Sequence, residues 1–297
     1  MKKIVWLILF FLISGSYSYA QTTNVKSIKL DAYKRIDEPA RDEVSGIIKS
    51  RKYKDTFWVH GDSGTKDHIY AITSDGEIKS EDKKYKGAEV KGAKNEDWED
   101  IALGENGTLI LADFGNNCHC REDLKILIIN EPDPDDDETE VIEEYNIRYP
   151  ENDGVLSLFV EENYNAEAVF MKNGMIYIIT KNESGGEAKL FLLDNPSTEE
   201  VNILTEVESF KFRGQVTAAD ISEDETKLAV LTYNSIWLFD IPKSGNSFFS
   251  GNTFRQPIRG VEQVESITFS DEDLIIAEEN GDLYRISIID IPVYRSN

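Results

Sequence analysis

Oxygen-bearing side chains recur at one position of a repeated sequence pattern, and together they have the chemistry of a metal site. The pattern is a small or acidic residue, any residue and then a β-branched apolar residue, and its five copies align Ser45, Glu99, Glu167, Ala219 and Glu265. If these segments meet at a common axis, three carboxylates come close together, and their repulsion must be relieved by protons or by a cation. Ca²⁺ prefers oxygen ligands at ~2.3–2.6 Å. We therefore predict a Ca²⁺ site held by Ser45, Glu99, Glu167 and Glu265; the alternative is that the carboxylates only accept hydrogen bonds from backbone amides and water.

A second set of polar residues lies in turns that we expect near the same axis. His60 and Asp62 are two positions apart, so they can face the same side of a strand, and they form the one pairing that resembles an acid–base unit. We predict them as candidate catalytic residues. Asp, Asn and Gly are also the ordinary residues of tight turns, so conformation alone would explain much of this composition. The candidate substrate-binding residues are Asp113, Asn117, Arg121 and Lys181, the last two as anion-binding groups.

Short extended segments position these residues. Helical periodicity is almost absent, and apolar or alternating runs bounded by Gly, Asn and Asp recur throughout the chain. The leading segments recur at spacings of roughly 45 to 70 residues, close to or above the ~40 to 50 of a propeller blade, and further strands follow each of them. We predict an all-β, five-bladed β-propeller in which the N-terminal strand, residues 25–33, completes the last blade and closes the ring. A β-sandwich is the alternative, but it would not explain five equivalent leading segments.

Composition narrows the partners and the compartment. The chain has 297 residues and a formal net charge of −24, which disfavours binding to nucleic acid or to anionic membrane surfaces and favours cations. Residues 1–20 have the basic start, apolar core and small-residue cleavage site of a signal peptide, so we expect residues 21–297 to form one domain in the periplasm or outside the cell. No later segment is long and apolar enough to predict membrane insertion. We expect a monomer.

The two cysteines, Cys118 and Cys120, are separated by one residue. They cannot connect distant parts of the fold, and a bridge between residues so close requires a specially shaped loop. We expect either a local disulfide or two free thiols. A metal site is disfavoured because the second ligand pair of a structural zinc site is missing.

Several phrases resemble those of a group of largely uncharacterised secreted bacterial propellers. They are EVSGI at 43–47, WVHGDSG at 58–64, DWEDIA at 97–102 and DFGNN at 113–117, and they lie mainly in the first two expected blades. The chain is more distantly similar to the calcium-activated nucleotidases, five-bladed apyrases whose central Ca²⁺ is held by Ser and Glu residues. That resemblance implies Ser45, Glu99, Glu167 and Glu265 as ligands and places Asp62 at the active face. Two residues depart from the apyrase pattern: Ala219 replaces a hydroxyl ligand, for which Thr217 or Asp220 could compensate, and Ser63 replaces an Arg near phosphate.

Two functions remain open from the sequence. The first is a Ca²⁺-dependent hydrolase of a small phosphate ester or lactone-like molecule, with Asp62 or His60 as the base. The second is a non-catalytic propeller that binds a protein or glycan partner and uses the metal to tie its blades together. The fold does not select between them. The sequence contains no Gly-x-Ser-x-Gly, P-loop or His-Glu-x-x-His motif, so those hydrolase classes lack support.

Overall fold

The computed structural model describes residues 25–82, 84–150 and 164–294, and the expected signal peptide at 1–20 lies outside them. The described chain is built almost entirely of β-strands, with 3-10 turns at Glu183–Gly185 and Ile288–Asp290. None of its helical segments is long or apolar enough to cross a bilayer. Two short strands come first, β1 (Ile28–Lys29) and β2 (Lys34–Arg35).

Five blades follow, and we number them in chain order. Blade one contains β3 (Val44–Lys49), β4 (Phe57–Gly61), β5 (His68–Ile72) and β6 (Ala88–Lys91). Blade two contains β7 (Trp98–Leu103), β8 (Thr108–Asp113), β9 (Lys125–Asn130) and β10 (Glu138–Arg148). Blade three contains β11 (Ala166–Lys172), β12 (Met175–Thr180), β13 (Ala188–Leu193) and, after the short β14 (Asn202–Ile203), β15 (Thr205–Phe210).

Blade four contains β16 (Val216–Ile221), β17 (Lys227–Thr232), β18 (Ser235–Asp240) and β19 (Thr253–Arg259). Blade five contains β20 (Val264–Ser270), β21 (Asp273–Glu278) and β22 (Asp282–Ser287), with β2 as its outermost strand. Within each blade, neighbouring strands are antiparallel. Parallel pairing of β6 with β10 joins the outer edges of blades one and two.

The ring closes as a five-bladed propeller. The innermost strands β3, β7, β11, β16 and β20 pack side by side in that cyclic order, and β20 packs against β3. β2 pairs with β22, so the N-terminal segment completes the last blade, which confirms the predicted fold. The pairing differs in detail from the expectation for residues 25–33. The closing strand is Lys34–Arg35, and Ile28–Lys29 instead adds a parallel fifth strand to β19 of blade four.

The hydrophobic core lies between neighbouring blades. One buried cluster, for example, joins Phe170 and Tyr177 of blade three to Trp237 and Phe239 of blade four. Each blade therefore buries both of its faces, and β16 is buried at all six of its positions. Such strands form a rigid frame for the side chains at their ends.

Two buried aspartates tie the innermost strands to one another. Asp100 of β7 accepts a hydrogen bond from the backbone N–H of Val169 in β11 at 2.9 Å. Asp220 of β16 accepts from the backbone N–H of Phe269 in β20 at 2.8 Å and from the hydroxyl of Thr268 at 2.9 Å. Buried carboxylates need such partners, and here the partners fix the positions of neighbouring strands around the channel.

Candidate metal and ligand site at the channel mouth

Every innermost strand carries a β-bulge one residue after its start. The strand pairing skips one residue in each blade, and the five skipped residues are Ser45, Glu99, Glu167, Thr217 and Glu265. A β-bulge inserts an extra residue and re-aims its side chain. Because the five bulges occur at the same step of five equivalent strands, they bring their side chains to one end of the central channel. We call this end, with the loops around it, the mouth.

The sequence alignment of blade four is wrong by two residues. The skipped residue there is Thr217, and Ala219 instead packs into the core between blades three and four. The alignment failed because a run of small residues, Ala218 and Ala219, fits the apolar template at more than one offset, whereas the bulge depends on strand pairing. A hydroxyl therefore does occupy the fourth position. Thr217 is 1% exposed, and its Oγ1 has no hydrogen-bond partner among the described residues.

Three carboxylates form a compact group on the side of blades one and two. Asp62, Asp97 and Glu99 each place an oxygen within 4.8 Å of the others, and we call them the carboxylate cluster. Gly115 leaves room for them, because a Cβ at this residue would lie 2.1 Å from Glu99 Oε1 and 2.4 Å from Asp97 Oδ2. Asn95, in the loop that enters β7, donates at 3.0 Å to the backbone oxygen of Asp62 and so holds the turn of blade one in place.

Two members of the carboxylate cluster, Asp62 and Glu99, retain protons more strongly than free carboxylic acids do. Burial, together with the nearby Asp97, raises the pKa of Asp62 to about 6. Burial also raises the pKa of Glu99 well above its usual value, and the charges of Glu167 and Asp62 add to this effect. Negative charge at this position is therefore costly unless a cation accompanies it.

The opposite side of the mouth contains its own cation. Lys181 Nζ lies 2.8 Å from Glu167 Oε1, and the two side chains are only 11% and 2% exposed. Tyr233 donates its hydroxyl to Glu265 at 3.1 Å, and Lys181 Nζ lies 5.6 Å from the centroid of the Tyr233 ring. Asn165 also donates to Glu167 Oε1, at 2.7 Å. We call Glu167, Lys181, Tyr233 and Glu265 the lysine network.

Burial dominates the ionisation of the lysine network as well. It raises the pKa of Glu167 to about 8 although Lys181 opposes the shift. It raises the pKa of Glu265 to about 7, again against the influence of Lys181. Burial alone would lower the pKa of Lys181, but Glu167 reverses this and raises it above the usual value. The lysine ammonium is thus the permanent counter-ion of this side of the mouth.

A further pair of carboxylates extends the negative charge at the rim. Burial, together with hydrogen bonding to the side chain of Glu43, raises the pKa of Glu279 to about 7. The backbone fixes the two residues side by side, since Val44 N–H donates to the backbone oxygen of Glu279 at 2.9 Å. A hydrogen bond between two carboxyl groups requires a proton on one of them, which favours the protonated form of Glu279.

The structure places His60 apart from the mouth side chains. Its ring is fully buried between blades one and two, in an edge contact with Trp98 at 5.6 Å between centroids. A Cβ at residue 46 would lie 2.2 Å from His60 Nε2, so Gly46 is the residue that makes room for the ring. Burial lowers the pKa of His60 to about 4. The imidazole is therefore neutral near pH 7 and packs as part of the interblade core.

The candidate substrate-binding residues of blade two form the wall of the mouth. Arg121 donates to Asp113 Oδ1 at 3.0 Å and to the backbone oxygen of Gly115 at 2.9 Å, and its side chain is 14% exposed. Asp113 is fully buried. Asn117 accepts a hydrogen bond from Asn165 at 3.1 Å. Arg121 and Asp113 thus hold the loop that carries Gly115 against the carboxylate cluster.

Cys118 and Cys120 form a disulfide in the same loop, which agrees with the local bridge that we considered for this pair. The backbone N–H groups of Cys120 and Arg121 both donate to Asn116 Oδ1 at 2.9 Å. Asn116 in turn donates its backbone N–H to Asn165 Oδ1 at 2.7 Å. The bridged loop is therefore linked through Asn165 to Glu167 of the lysine network.

The sequence pattern does not distinguish Asp97, Tyr233 and Glu279 from other polar loop residues. Asp97 stands two residues before Glu99, and this spacing within the DWEDIA phrase was the available signal that both carboxylates could reach one point. Nothing in the sequence pairs Tyr233 with Glu265, because the two residues come from different blades.

Comparisons with known proteins do not identify a family for this chain. No family model matches the chain, and no curated protein matches its sequence. Among solved structures, a chain in the crystal structure of a nidogen/laminin complex has a TM-score of 0.44 and 11% sequence identity, over 84% of this chain and 77% of that chain. The five-bladed description rests on the strand pairing described above.

Proposed function

We propose that the protein binds a divalent cation at the carboxylate cluster, and that it acts there as an extracytoplasmic hydrolase of an oxygen-rich small molecule. The supporting observation is the geometry of Asp62, Asp97 and Glu99, whose oxygens lie within 4.8 Å of one another. This spacing is about twice the Ca²⁺–oxygen distance of ~2.3–2.6 Å, so one ion can contact all three carboxylates. Because Gly115 has no side chain, it leaves room beside Glu99 and Asp97, which is compatible with an ion bound by these carboxylates.

The charge balance favours an added cation at this position. Lys181 is engaged with Glu167, and within the described ranges no lysine or arginine forms an ion pair with Asp62, Asp97 or Glu99. Carboxylate oxygens are hard ligands, which favours Ca²⁺ or a similar ion over softer metals. When bound, such an ion would polarise a carbonyl or phosphoryl oxygen, or lower the pKa of a water molecule.

The protein's own residues would hold and orient the reactants. Asp97 and Glu99 come from a buried strand and its entry loop, so they provide fixed ligands, and Asn95 fixes the turn that carries Asp62. On the other side, Lys181 and Tyr233 present polar groups to whatever lies over the channel. This arrangement preserves the cation role that we predict for Glu99 and adds Asp62 and Asp97 to it.

The test of metal binding is thermal unfolding in chelator and in added Ca²⁺. A ligand present at 100 times its Kd stabilises the folded state by about 2.7 kcal/mol, which corresponds to several degrees in a domain of this size. We expect wild type to show this shift and Glu99→Gln to lose most of it. Glu140→Gln is a matched control, because Glu140 is exposed on the outer strand of the same blade. An equal shift in wild type and Glu99→Gln would remove the cluster from the proposal.

Turnover is tested separately on lactones, carboxylic esters and phosphate esters, in chelator and in Ca²⁺. Ca²⁺-dependent hydrolysis of one of these classes supports the enzymatic part of the proposal. A metal-induced shift without turnover would instead support the non-catalytic propeller that binds a protein or glycan.

A further inference from the structure

The disulfide between Cys118 and Cys120 lies where it contributes little to the stability of the fold. It joins two residues of one loop that a single residue separates, so it connects no blade to another. In the chain-entropy account, stabilisation by a disulfide grows with the length of chain that it closes, and this bridge closes almost none. The stability of the propeller therefore does not explain the bridge.

The bridge is accessible from solvent in the folded protein. Cys118, His119 and Cys120 are exposed, whereas Asn116 at the base of the same loop is fully buried. Thiol–disulfide exchange begins with the attack of a thiolate on a disulfide sulfur, so its rate depends on access to that sulfur. An external thiolate can therefore reach this bridge without unfolding the domain.

The turn that carries the bridge is also held by contacts in which sulfur takes no part. Asn116 Oδ1 accepts hydrogen bonds from the backbone N–H groups of Cys120 and Arg121, both at 2.9 Å. The backbone N–H of His119 donates to the backbone oxygen of Asn116 at 2.8 Å. His119 Nε2 lies 2.8 Å from Glu183 Oε2 of blade three. Because these contacts can persist when the bridge opens, the two thiols stay close, which favours re-formation of the bridge within one molecule.

We propose that Cys118 and Cys120 form a redox-active site that exchanges electrons with a dithiol. A thiolate of the dithiol attacks one cysteine sulfur, forms a mixed disulfide with it and releases the other cysteine as a thiolate. The second thiolate of the dithiol then attacks the dithiol's own sulfur in the mixed disulfide and releases the first cysteine. The two cysteine thiolates take up the two protons that the dithiol lost. The dithiol is thus oxidised to a disulfide by two electrons, and the protein disulfide is reduced to two thiols.

The held turn favours a dithiol over a monothiol as the reductant. After a monothiol has attacked, the released cysteine remains beside the mixed disulfide and re-forms the bridge, which expels the monothiol. A dithiol completes the reaction with its own second thiol. A small dithiol and the paired cysteines of another protein share this chemistry, and the experiment distinguishes them. The inference goes beyond the proposed function and requires neither a metal nor hydrolysis.

The first measurement is the rate of reduction by dithiothreitol, with the protein folded and in urea. The chain has two cysteines, so alkylation followed by mass spectrometry counts the thiols of this site directly. We expect the rate in the folded protein to rise in proportion to dithiothreitol and to lie within about tenfold of the rate in urea, because the bridge is already exposed. A rate that does not depend on the dithiol concentration would show that the fold must open first, and it would overturn the inference.

The second measurement identifies the kind of dithiol. Reduced thioredoxin, whose Cys-x-x-Cys pair is a protein dithiol, is compared with dithiothreitol at equal concentration. Reduction of the folded protein to two thiols by either reagent supports the site. A faster reaction with thioredoxin assigns the reductant to a protein, and a faster reaction with dithiothreitol assigns it to a small dithiol. No reduction of the folded protein by either reagent would overturn the inference.

Re-oxidation by a glutathione buffer tests the held turn. In folded wild type we expect the intramolecular bridge and little glutathione adduct. Asn116→Ala should lower the ratio of bridged to reduced protein about tenfold, because the reduced turn is then free to open, whereas the two proteins should give equal ratios in urea. If this variant does not fold, folded wild type is compared with wild type in urea. Equal ratios in folded and unfolded wild type would contradict the held turn and overturn the inference.

The double variant Cys118→Ser/Cys120→Ser is the control for a structural role. We expect its melting temperature to lie at most a few degrees below that of wild type, since the bridge closes a very short segment. A fall of more than about 10 °C, as expected for a disulfide that closes a long loop, would make the bridge a structural element and overturn the inference.

Discussion

The two sides of the mouth place carboxylates at equivalent ring positions but neutralise them differently. In the lysine network, the protein itself supplies the counter-ion of Glu167. Lys181 Nζ lies 2.8 Å from Glu167 Oε1, and Lys181 directly follows the next strand of the same blade. In the carboxylate cluster, Glu99 has two further carboxylates as neighbours, and among the residues that the structure describes no lysine or arginine forms an ion pair with it. The inner strands thus determine where the charge lies, whereas the loops determine whether the chain supplies the opposite charge. A cation from solution therefore has a role only on the side where the loops do not supply the opposite charge.

The largest expected effect is the loss of unfolding free energy when the positive charge of Lys181 is removed. Lys181→Met leaves Glu167 buried without its partner, and breaking a buried ion pair in this way costs about 3–5 kcal/mol of unfolding free energy. Urea unfolding in chelator at pH 8 measures the loss. We also expect a larger Ca²⁺-induced stabilisation in the variant than in wild type, because the second side of the mouth now lacks a cation too.

Lys227→Met is the control for this comparison. Lys227 lies 2.6 Å from Asp240, but both side chains are about one third exposed, so solvent already screens the pair. Exposed pairs contribute about 0–1 kcal/mol, and we expect a loss in that range. Equal losses in the two variants would show that Lys181 is not the buried counter-ion described here.

The second expected effect is a decline in stability as the pH rises, without metal. Burial raises the pKa values of Glu265 and Glu279 from 4.5 to about 7. Between these values the two groups bind more protons in the folded state than in the unfolded state, so their contribution to stability is greatest below about pH 4.5 and is lost as the pH rises to 7. One pKa unit corresponds to about 1.4 kcal/mol, which gives on the order of 3 kcal/mol for Glu265.

Urea unfolding at several pH values between 4.5 and 8 measures this decline, and it also separates the two sides. Glu265→Gln should flatten the part between pH 4.5 and 7. Added Ca²⁺ should chiefly remove the decline that begins nearer pH 4, since Asp62 belongs to the cluster and burial raises its pKa from 3.8 to about 6. A stability that is constant across this range would contradict the burial of charge on both sides.

Much of the fold could be predicted from the sequence because the sequence repeat reflects a packing requirement that every blade shares. Each blade needs one inner strand buried on both faces, so segments such as 98–101 and 264–267 recur with similar apolar spacing. The convergence of Glu99, Glu167 and Glu265 followed from that repeat. The closing strand was placed a few residues too early, since two-residue pairings such as Lys34–Arg35 with β22 leave little sequence pattern.

The details of the site depend on geometry that a repeat pattern does not encode. A bulge is a property of the pairing between two strands, so the sequence repeat did not show that Thr217 rather than Ala219 occupies the fourth position. The burial of His60 depends on the missing side chain of Gly46 in the neighbouring strand. Arg121 looked like an anion-binding residue because its charge is visible in the sequence, whereas its partner, the buried Asp113, becomes evident only when the loop is folded.

The smallest expected effect tests the difference between the two sides of the mouth most directly. Equivalent Glu→Gln substitutions on the two sides should change the free energy of unfolding in opposite directions. At pH 8 in chelator, Glu99→Gln removes one of three mutually repelling carboxylates and should stabilise the protein by about 1 kcal/mol. Glu167→Gln removes the partner of Lys181 and should destabilise it. At pH 5 the gain from Glu99→Gln should be smaller, because burial and the charges of Glu167 and Asp62 raise the pKa of Glu99, so the lower pH favours the uncharged form of its side chain in the folded state. Chemical unfolding of both variants at the two pH values measures the signs, and a shared sign at pH 8 would mean that the two sides of the mouth are electrostatically alike.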